Sequence, residues 1–319
     1  MKTKFHLSIF AGVLTLLNST ASSGTPTPAV TAEPTTIWTM INVSPNAQQA
    51  DCHLIQFPDG RNVLIDIADA ADAGGAALSY LKAHHINRVD LVVISHFHRD
   101  HYGRLKDLVS SGVQVDRVAF NMPDPADTIA DGEAPWGFDR QDAYSVIRYL
   151  KEKGVSCFTP HSGDRLIEVP LAGGGTASLD VVCLYDGLHT PVGKTDTNDT
   201  SVIVRLSHCG TRALFTGDLN AALGGWLATS SFDLGADILK APHHGTEGCA
   251  PNIFFDRVHP KAVLVPGPKE LWLSPRSARI RDYFAVHQIP AYVSGVNGNI
   301  TVTFRRTGYT VDCERGVPE

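Results

Sequence analysis

The feature that most constrains this chain is a cluster of ligand-type side chains directly after an apolar strand. Residues 92–103 are Val-Val-Ile-Ser-His-Phe-His-Arg-Asp-His-Tyr-Gly, which places His96, His98, Asp100 and His101 within six residues. Packing on a helix or strand face does not require such a cluster. Imidazole and carboxylate groups suit zinc, iron or manganese, and a loop at a strand end can direct them at two neighbouring ions. The H-x-H-x-D-H spacing therefore predicts a metal site.

Two later segments follow the same logic. Residues 213–218 are an apolar strand that ends in Gly and then Asp218, and residues 238–245 are a strand that ends in His243 and His244. Taken alone, Asp218 could cap the following helix, and the histidine pair could be an ordinary polar turn. Because all three motifs stand at the ends of apolar strands, they favour one common site over three unrelated features.

The apolar periodicity predicts an α/β fold in which antiparallel hairpins alternate with helices. Two sheets packed face to face, with the helices outside, account for this order best. The predicted strands are 37–43, 52–57, 63–67, 89–95, 179–185, 201–206, 212–216, 236–239, 262–265 and 300–304. The predicted helices are 76–85, 139–153, 221–230 and 277–287.

Residues 121–138 form a Pro- and Asp-rich insertion without clear periodicity. Its aromatic residues Trp136 and Phe138 either pack the loop on its own domain or help to wall a substrate cleft.

The first residues have the layout of a secretory signal peptide. Within residues 1–24, two lysines precede an apolar run at 5–17 and a small polar stretch. A buried first helix or a membrane anchor is the alternative, but the run is short for a bilayer span. We therefore expect a signal peptide at 1–24, a Pro-containing leader at 25–36 and one domain at 37–319, in a secreted or periplasmic protein without stable membrane insertion.

Charge and cysteine content narrow the class of protein further. The net charge is −6, and it becomes −8 without residues 1–24, which carry two lysines and no acidic residue. This balance weighs against a large basic surface for binding nucleic acid.

The chain has six cysteines, and none of them forms a C-x-x-C pair. They are Cys52, Cys157, Cys183, Cys209, Cys249 and Cys313. An exported protein can oxidise cysteines to disulfides, but their spacing fixes no pairing. Cys52, Cys183 and Cys209 lie in or beside strand-like runs and could equally be buried thiols.

The ordered motifs resemble the metallo-β-lactamase superfamily and, within it, the hydrolase domain of ComEC-type competence proteins. Besides the three metal motifs, the resemblance rests on Asn-Asp-Thr-Ser-Val at 198–202, Ser-Pro-Arg at 274–276 and Asn-Gly-Asn-Ile at 297–300. The Asp-Val-Gly-Gln-Gly-Asp opening of the ComEC-type domains is replaced at 42–47, which leaves Asn42, Val43 and Asp51 as loose echoes.

This resemblance implies an αββα sandwich with two mixed sheets, outer helices and a two-metal cleft at one edge. Carried over by motif, His96 and His98 hold the first ion, Asp100 and His101 hold the second, and Asp218 bridges them. One of the final two histidines completes the second site, and we favour His244. Whether the first ion takes a further ligand stays open. The candidates for that ligand are His161, His189, Asn198 and Asp199.

The expected activity is hydrolysis with two divalent ions, zinc first, with manganese or iron as alternatives. Two cations lower the pKa of a shared water toward neutrality and stabilise a developing oxyanion. Asp100 can accept the proton of that water, and His243 can donate a hydrogen bond to the substrate or leaving group. No cysteine belongs to the cluster, which argues against a closed structural zinc site.

A phosphodiester or phosphoester is the expected substrate, because that is what the ComEC-type resemblance implies. The acidic balance favours a small or cell-wall-linked ester, with single-stranded DNA as a further candidate. Hydrolysis of a lactone or β-lactam is the alternative reaction, and a non-catalytic metal- or ligand-binding exoprotein is the alternative of another class. The sequence leaves the oligomeric state open.

Overall fold

The computed structural model describes residues 33–43, 49–71, 75–122, 138–185, 190–192 and 197–316. The predicted signal peptide, Trp136 and His189 lie outside these residues. The strands are β1 Thr36–Met40, β2 Cys52–Gln56, β3 Asn62–Ile67, β4 Arg88–Val89, β5 Leu91–Ile94, β6 Gln114–Val115, β7 Arg117–Phe120, β8 Ser156–Phe158, β9 Arg165–Pro170, β10 Thr176–Cys183, β11 Ile203–His208, β12 Thr211–Phe215, β13 Ile238–Lys240, β14 Ala262–Val265, β15 Ala291–Val293, β16 Ile300–Arg305 and β17 Gly308–Cys313. The helices are α1 Ala76–Ala83, α2 Arg99–Tyr102, α3 Leu105–Ser110, α4 Arg140–Glu152, α5 Ala221–Thr229, α6 Asn252–Val258, α7 Lys269–Leu273, α8 Ala278–Val286 and α9 Ser294–Asn297.

Two large mixed sheets dominate the described chain. The first has the strand order β17-β16-β1-β2-β3-β5-β7-β8, and the second has the order β15-β14-β13-β12-β11-β10-β9. Each sheet is antiparallel on one side and becomes parallel on the other, from β3 to β8 in the first and from β12 to β15 in the second. Parallel neighbours bring the carboxyl ends of several strands to the same sheet edge, where ligand-bearing loops can meet.

Alternating side chains give each sheet two apolar faces, because successive residues of a strand point in opposite directions. On β3, Val63 and Ile65 pack between the two sheets, whereas Leu64 packs toward α1, α3 and α4. On β13, Ile238 joins the inter-sheet core and Leu239 packs toward α5, α6 and α8. The described residues therefore form a four-layer αββα sandwich, and the predicted fold class is confirmed.

The antiparallel side of the first sheet contains the predicted hairpin. β2 and β3 pair in antiparallel register, with Gln56 opposite Asn62. The connecting turn contains Gly60 at φ 88°, a conformation that glycine adopts without a steric penalty. Phe138, the last residue of the insertion, packs its ring 6.4 Å from that of Phe97, and residues 123–137 lie outside the described residues.

All six cysteines fall within the described residues, and the structure joins none of them in a disulfide. Cys52 and Cys183 are buried, as expected for the buried-thiol alternative, whereas Cys209 is only partly buried; Cys249 is buried as well. Of the described helices, none combines the length and the apolar composition that a bilayer crossing needs.

Candidate metal centre

The three strand-end motifs meet at one edge of the sandwich. The loop after β5 leads into α2 with Asp100 and His101, β12 is followed by Asp218, and β13 is followed by His244. One ligand atom from each of these four side chains lies within 4.8 Å of the others. The first sheet supplies two of them and the second sheet supplies the other two, so the site straddles both sheets.

Asp218 lies at the centre of this group. Its Oδ2 is 3.3 Å from His101 Nε2 and 3.1 Å from His244 Nε2. Asp100 approaches from the other side, with Oδ2 3.2 Å from His244 Nε2. The side chains of His101, His244 and Asp218 are buried, whereas that of Asp100 is 18% exposed. Asp100 is therefore the member of the group that solvent or a substrate can reach.

Asp66 and Ser95 form hydrogen bonds with the Nδ1 atoms of His101 and His96. Asp66 accepts hydrogen bonds from the Ser95 backbone N–H and hydroxyl at 2.7 Å each, and from His101 Nδ1 at 2.8 Å. Ser95 Oγ is in turn 3.1 Å from His96 Nδ1. These contacts place the proton of each ring on Nδ1, so Nε2 of both His96 and His101 keeps a lone pair for the site.

This arrangement fits a metal ion. His244 Nδ1 donates to the Pro266 carbonyl at 2.9 Å, which leaves the lone pair of Nε2 directed at two carboxylates. His101 faces Asp218 in the same way, and neither Nε2 has a hydrogen-bond partner. Acceptors that face each other at such distances repel unless a cation lies between them. The cation is either a proton or a metal ion, and the donor set of imidazole and carboxylate suits zinc, iron or manganese.

His96 and His98 lie beside this group. His96 Nε2 is 3.1 Å from His98 Nδ1, and the ring centroid of His96 is 4.1 Å from that of His101. His98 Nε2 is buried and has no hydrogen-bond partner. The structure thus brings together His96 and His98, the two residues predicted for the first ion, and sets them beside His101.

The backbone explains why only one of the final histidines enters the group. His243 and His244 both adopt left-handed φ, 47° and 52°, directly after Pro242. This conformation is uncommon for residues other than glycine and is found mainly where function requires it. It directs the His244 ring into the site, while the centroid of the His243 ring lies 6.2 Å away and only partly buried.

A buried ion pair lies directly behind the ligands. Lys240 Nζ contacts Asp51 Oδ2, and both side chains are 1% exposed. Lys240 also donates to the Gly217 carbonyl at 2.9 Å and to Asp218 Oδ1 at 3.4 Å. Asp51 Oδ1 is 3.1 Å from His244 Nδ1. The pair therefore touches two of the four ligand side chains.

The charges around the site shift several pKa values. Burial alone would raise the pKa of Asp51, but Lys240 and His244 hold it well below its ordinary value. Burial alone would lower the pKa of His101 and of His244, but the carboxylates around them, Asp218 foremost, raise both well above the ordinary value. Both shifts have the same cause, a concentration of carboxylates that favours positive charge at the position where a metal ion would lie.

Gly217 allows Asp218 to approach the first sheet. Its φ is 52°, and a Cβ atom there would collide with the Ser201 side chain, 2.7 Å from Ser201 Cβ and 3.0 Å from Ser95 Cβ. The Ser201 hydroxyl accepts a hydrogen bond from the Asp218 backbone N–H at 3.1 Å and lies 3.5 Å from His96 Nδ1. Glycine at 217 is thus part of the packing that sets the Asp218 carboxylate beside His101 and His244.

The remaining candidate ligands fall elsewhere or stay open. His161 is 85% exposed and faces Asp164 at 3.5 Å, away from the buried group. Asp199 is buried, but its Oδ1 accepts the Asn220 backbone N–H at 3.1 Å. Asn198 is buried in the same short 3₁₀ turn, where its carbonyl accepts the Ser201 hydroxyl. These bonds use the Asn198 main chain and one oxygen of Asp199, so a role of either side chain at the first ion stays a prediction.

Sequence reasoning did not single out Asp51, Asp66 or Lys240 as site residues. Lys240 offered a signal, since a lysine inside an apolar strand needs a buried partner. Asp66 offered one too, as a carboxylate in the middle of the apolar run 63–67. Asp51 had appeared only as a partial match to the Asp-Val-Gly-Gln-Gly-Asp opening of the ComEC-type domains.

Comparison with known proteins agrees with this geometry. Residues 45–119 match the family model described as the metallo-β-lactamase superfamily, and this stretch contains the H-x-H-x-D-H cluster. The ComE operon protein 3 of Bacillus subtilis (strain 168) is 21% identical over 229 residues, 72% of this chain and 26% of that protein. This chain thus spans about a quarter of the length of that relative. The resemblance inferred from the motifs is confirmed.

Solved structures with a similar chain path include a β-hydroxylase mutant, a diphosphatase and a metallo hydrolase. A mutant of the CmlA β-hydroxylase has a TM-score of 0.49 and 14% identity, over 86% of this chain and 54% of that one. A diphosphatase from the PhnP family has a TM-score of 0.44 and 14% identity, over 84% and 97%. A metallo hydrolase from the archaeon Ignicoccus hospitalis has a TM-score of 0.44 and 15% identity, over 85% and 99%. These likenesses concern the fold alone.

Proposed function

We propose that this chain, which carries the motifs and the fold of the metallo-β-lactamase superfamily, is a secreted two-metal hydrolase that cleaves phosphodiesters or phosphoesters. The observation that carries the proposal is the convergence of Asp100, His101, Asp218 and His244 within 4.8 Å. His96 and His98 stand next to them. This donor set has nitrogen and oxygen ligands only, as catalytic rather than structural sites do.

The charge of the site supports two divalent ions. Asp51, Asp66, Asp100 and Asp218 carry four negative charges, and Lys240 carries one positive charge, which leaves −3 when the imidazoles are neutral. Buried charge of this size is costly unless it is balanced. With one divalent ion the net charge of the site would be −1, and with two it would be +1. A hydroxide nucleophile together with two ions would bring the net charge to zero.

When bound, two such ions supply Lewis acidity and lower the pKa of water toward neutrality. The residues of the chain then have separate tasks. His96, His98, His101 and His244 offer the ligand nitrogens, Asp218 lies between the two groups, and Asp66 keeps the His101 ring in place. Asp100, the exposed carboxylate of the group, accepts the proton of the attacking water. His243, outside the ligand group, donates a hydrogen bond to the substrate or leaving group.

The proposed substrate is small or attached to the cell wall, because the net charge of −6 disfavours a long polyanion. Secretion is proposed from the layout of residues 1–24. N-terminal sequencing of the protein recovered outside the cytoplasm should find a start between residues 22 and 26. Recovery of membrane-bound protein with an intact Met1 would contradict export as proposed.

A substrate screen tests the activity. The metal-loaded protein is given bis(p-nitrophenyl) phosphate, a phosphomonoester, a carboxylic ester, a lactone, a β-lactam and single-stranded DNA, alongside an Asp218→Asn variant as control. We expect turnover of the phosphodiester that a chelator abolishes and zinc or manganese restores. If the protein turns over a lactone or a β-lactam fastest, the proposed substrate class is wrong and the substrate contains a carboxylic bond instead. A metal-loaded protein without turnover of any reporter would favour the non-catalytic alternative.

A further inference from the structure

The buried pair Asp51–Lys240 lies between the halves of the ligand set. Asp51 precedes β2 of the first sheet, and Lys240 is the last residue of β13 in the second sheet. Their side chains are in contact and 1% exposed. A buried ion pair contributes little net stability compared with apolar residues of the same volume, because desolvation of the charges offsets their attraction. Packing alone therefore does not explain a charged pair at this position.

The contacts of Asp51 reach both sheets. Its backbone N–H donates to the Asp100 carbonyl at 3.1 Å, and its carbonyl accepts from the Ala68 N–H at 2.8 Å. Its Oδ1 is 3.1 Å from His244 Nδ1, on the side of the ring opposite the site. One residue thus fixes the loop that carries Asp100 and faces the ring of His244.

The contacts of Lys240 complete the arrangement. Its ammonium donates to the Gly217 carbonyl at 2.9 Å and to Asp218 Oδ1 at 3.4 Å. Because Oδ1 is held by the ammonium, Oδ2 is the oxygen of Asp218 that faces His101 and His244. The ammonium also offsets one negative charge among carboxylates that would otherwise repel one another.

We propose that Asp51 and Lys240 are positioning residues, which act as one ion pair to hold Asp218 and His244 of the second sheet in register with Asp100 of the first. The pair does not bind the metal ions or the substrate. It sets the orientation of the ligands before an ion arrives, as outer groups do around other metal sites, where their loss typically lowers metal affinity by about 10- to 100-fold. This inference rests on the proposed metal centre.

The test compares Lys240→Met, Asp51→Asn and the double variant Asp51→Asn/Lys240→Met. Lys240→Met leaves the Asp51 carboxylate buried without its partner, so it is expected to destabilise the metal-free protein as well as to lose metal affinity. The double variant removes both charges and keeps similar volumes, so its metal-free form should unfold near the wild-type temperature. Zinc affinity is measured by competition with a chromophoric chelator, and the visible absorption of the cobalt(II)-loaded protein reports the coordination geometry.

If the pair positions ligands, the double variant and Asp51→Asn bind zinc about 10- to 100-fold more weakly than the wild type, with an altered cobalt spectrum. If the pair serves structure only, the double variant binds zinc with wild-type affinity and gives the wild-type spectrum, and the inference is overturned. Asp51→Asn provides the same comparison should the double variant unfold.

Lys261→Met is the matched control. Lys261 Nζ pairs with Asp237 Oδ1 at 2.8 Å next to the same sheet, but its side chain is 68% exposed and contacts no site residue. The Lys261→Met variant should bind zinc with the affinity of the wild type. A wild-type protein that binds no zinc would instead refute the proposed metal centre itself, so the two failures are distinguishable.

Discussion

His101 Nδ1 and Asp66 Oδ2 are joined by a hydrogen bond of 2.8 Å, which turns the other nitrogen of the ring toward Asp218. Asp66 adopts a left-handed φ of 59° at the end of β3, a conformation that aspartate tolerates better than most residues. The site thus uses an unusual backbone conformation to hold the carboxylate that orients a ligand.

Asp66→Asn should lower zinc affinity by about 10- to 100-fold, because the amide removes the charge that fixes the His101 tautomer. Equilibrium dialysis against a metal buffer measures the change. Asp59→Asn is the control, since Asp59 pairs with Arg61 in an exposed turn. Equal affinities for Asp66→Asn and the wild type would show that Asp66 does not orient the ligand.

The two adjacent histidines should respond differently to alanine. His244→Ala should lose metal at the second site together with activity, because its Nε2 faces Asp100 and Asp218. His243→Ala should keep its metal, while its turnover falls by about 10²- to 10³-fold, as for the loss of a transition-state hydrogen-bond donor. Metal analysis and turnover of both variants decide the roles. Metal loss in His243→Ala with retention in His244→Ala would reverse them.

Gly217→Ala should destabilise the metal-free protein by about 2–4 kcal/mol, since a side chain there combines an unfavourable φ with a collision against Ser201. Urea unfolding measures the free energy of unfolding. Gly210→Ala separates the two causes, because Gly210 also has a positive φ, 92°, but open space around its Cβ position. Equal losses for the two variants would mean that the collision with Ser201 costs nothing.

The thiols should differ in reactivity according to burial. Burial raises the pKa of Cys183 to about 11 and that of Cys249 to about 12. At pH 8 a thiol of pKa 12 is ionised to about one part in 10⁴, and the thiolate is the reactive form. Iodoacetamide should therefore label the partly exposed Cys209 far faster than either buried thiol. Peptide mapping measures the rates, and a disulfide that includes Cys183 or Cys249 would contradict the prediction.

The central strands and the site motifs could be predicted from the sequence because both produce strong local patterns. β3, β5, β12 and β14 are short apolar runs, and the three ligand motifs stand directly after such runs. The strands that the sequence did not predict include all four edge strands of the two large sheets, β8, β9, β15 and β17. An edge strand pairs on one side only and buries less. In β17 every residue is at least partly exposed, so no clear apolar alternation marks it.

The ion pair behind the ligands could not be predicted for a different reason. Asp51 and Lys240 lie far apart in the sequence, and neither is part of a local pattern that specifies its partner. Their relationship exists only once the two sheets have packed together. The same is true of Asp66 and His101, which the first sheet brings together through β3 and the loop after β5.

Asp100 and His101 belong to the first sheet, whereas Asp218 and His244 belong to the second. Neither sheet holds all four candidate ligands, so a metal ion can contact the complete set only after the two sheets have packed together. An ion bound there then links the two halves, and its binding energy becomes part of the folding energy. With the proposed export, such an ion would come from the compartment in which the two sheets pack together, rather than from the one in which the chain is synthesised.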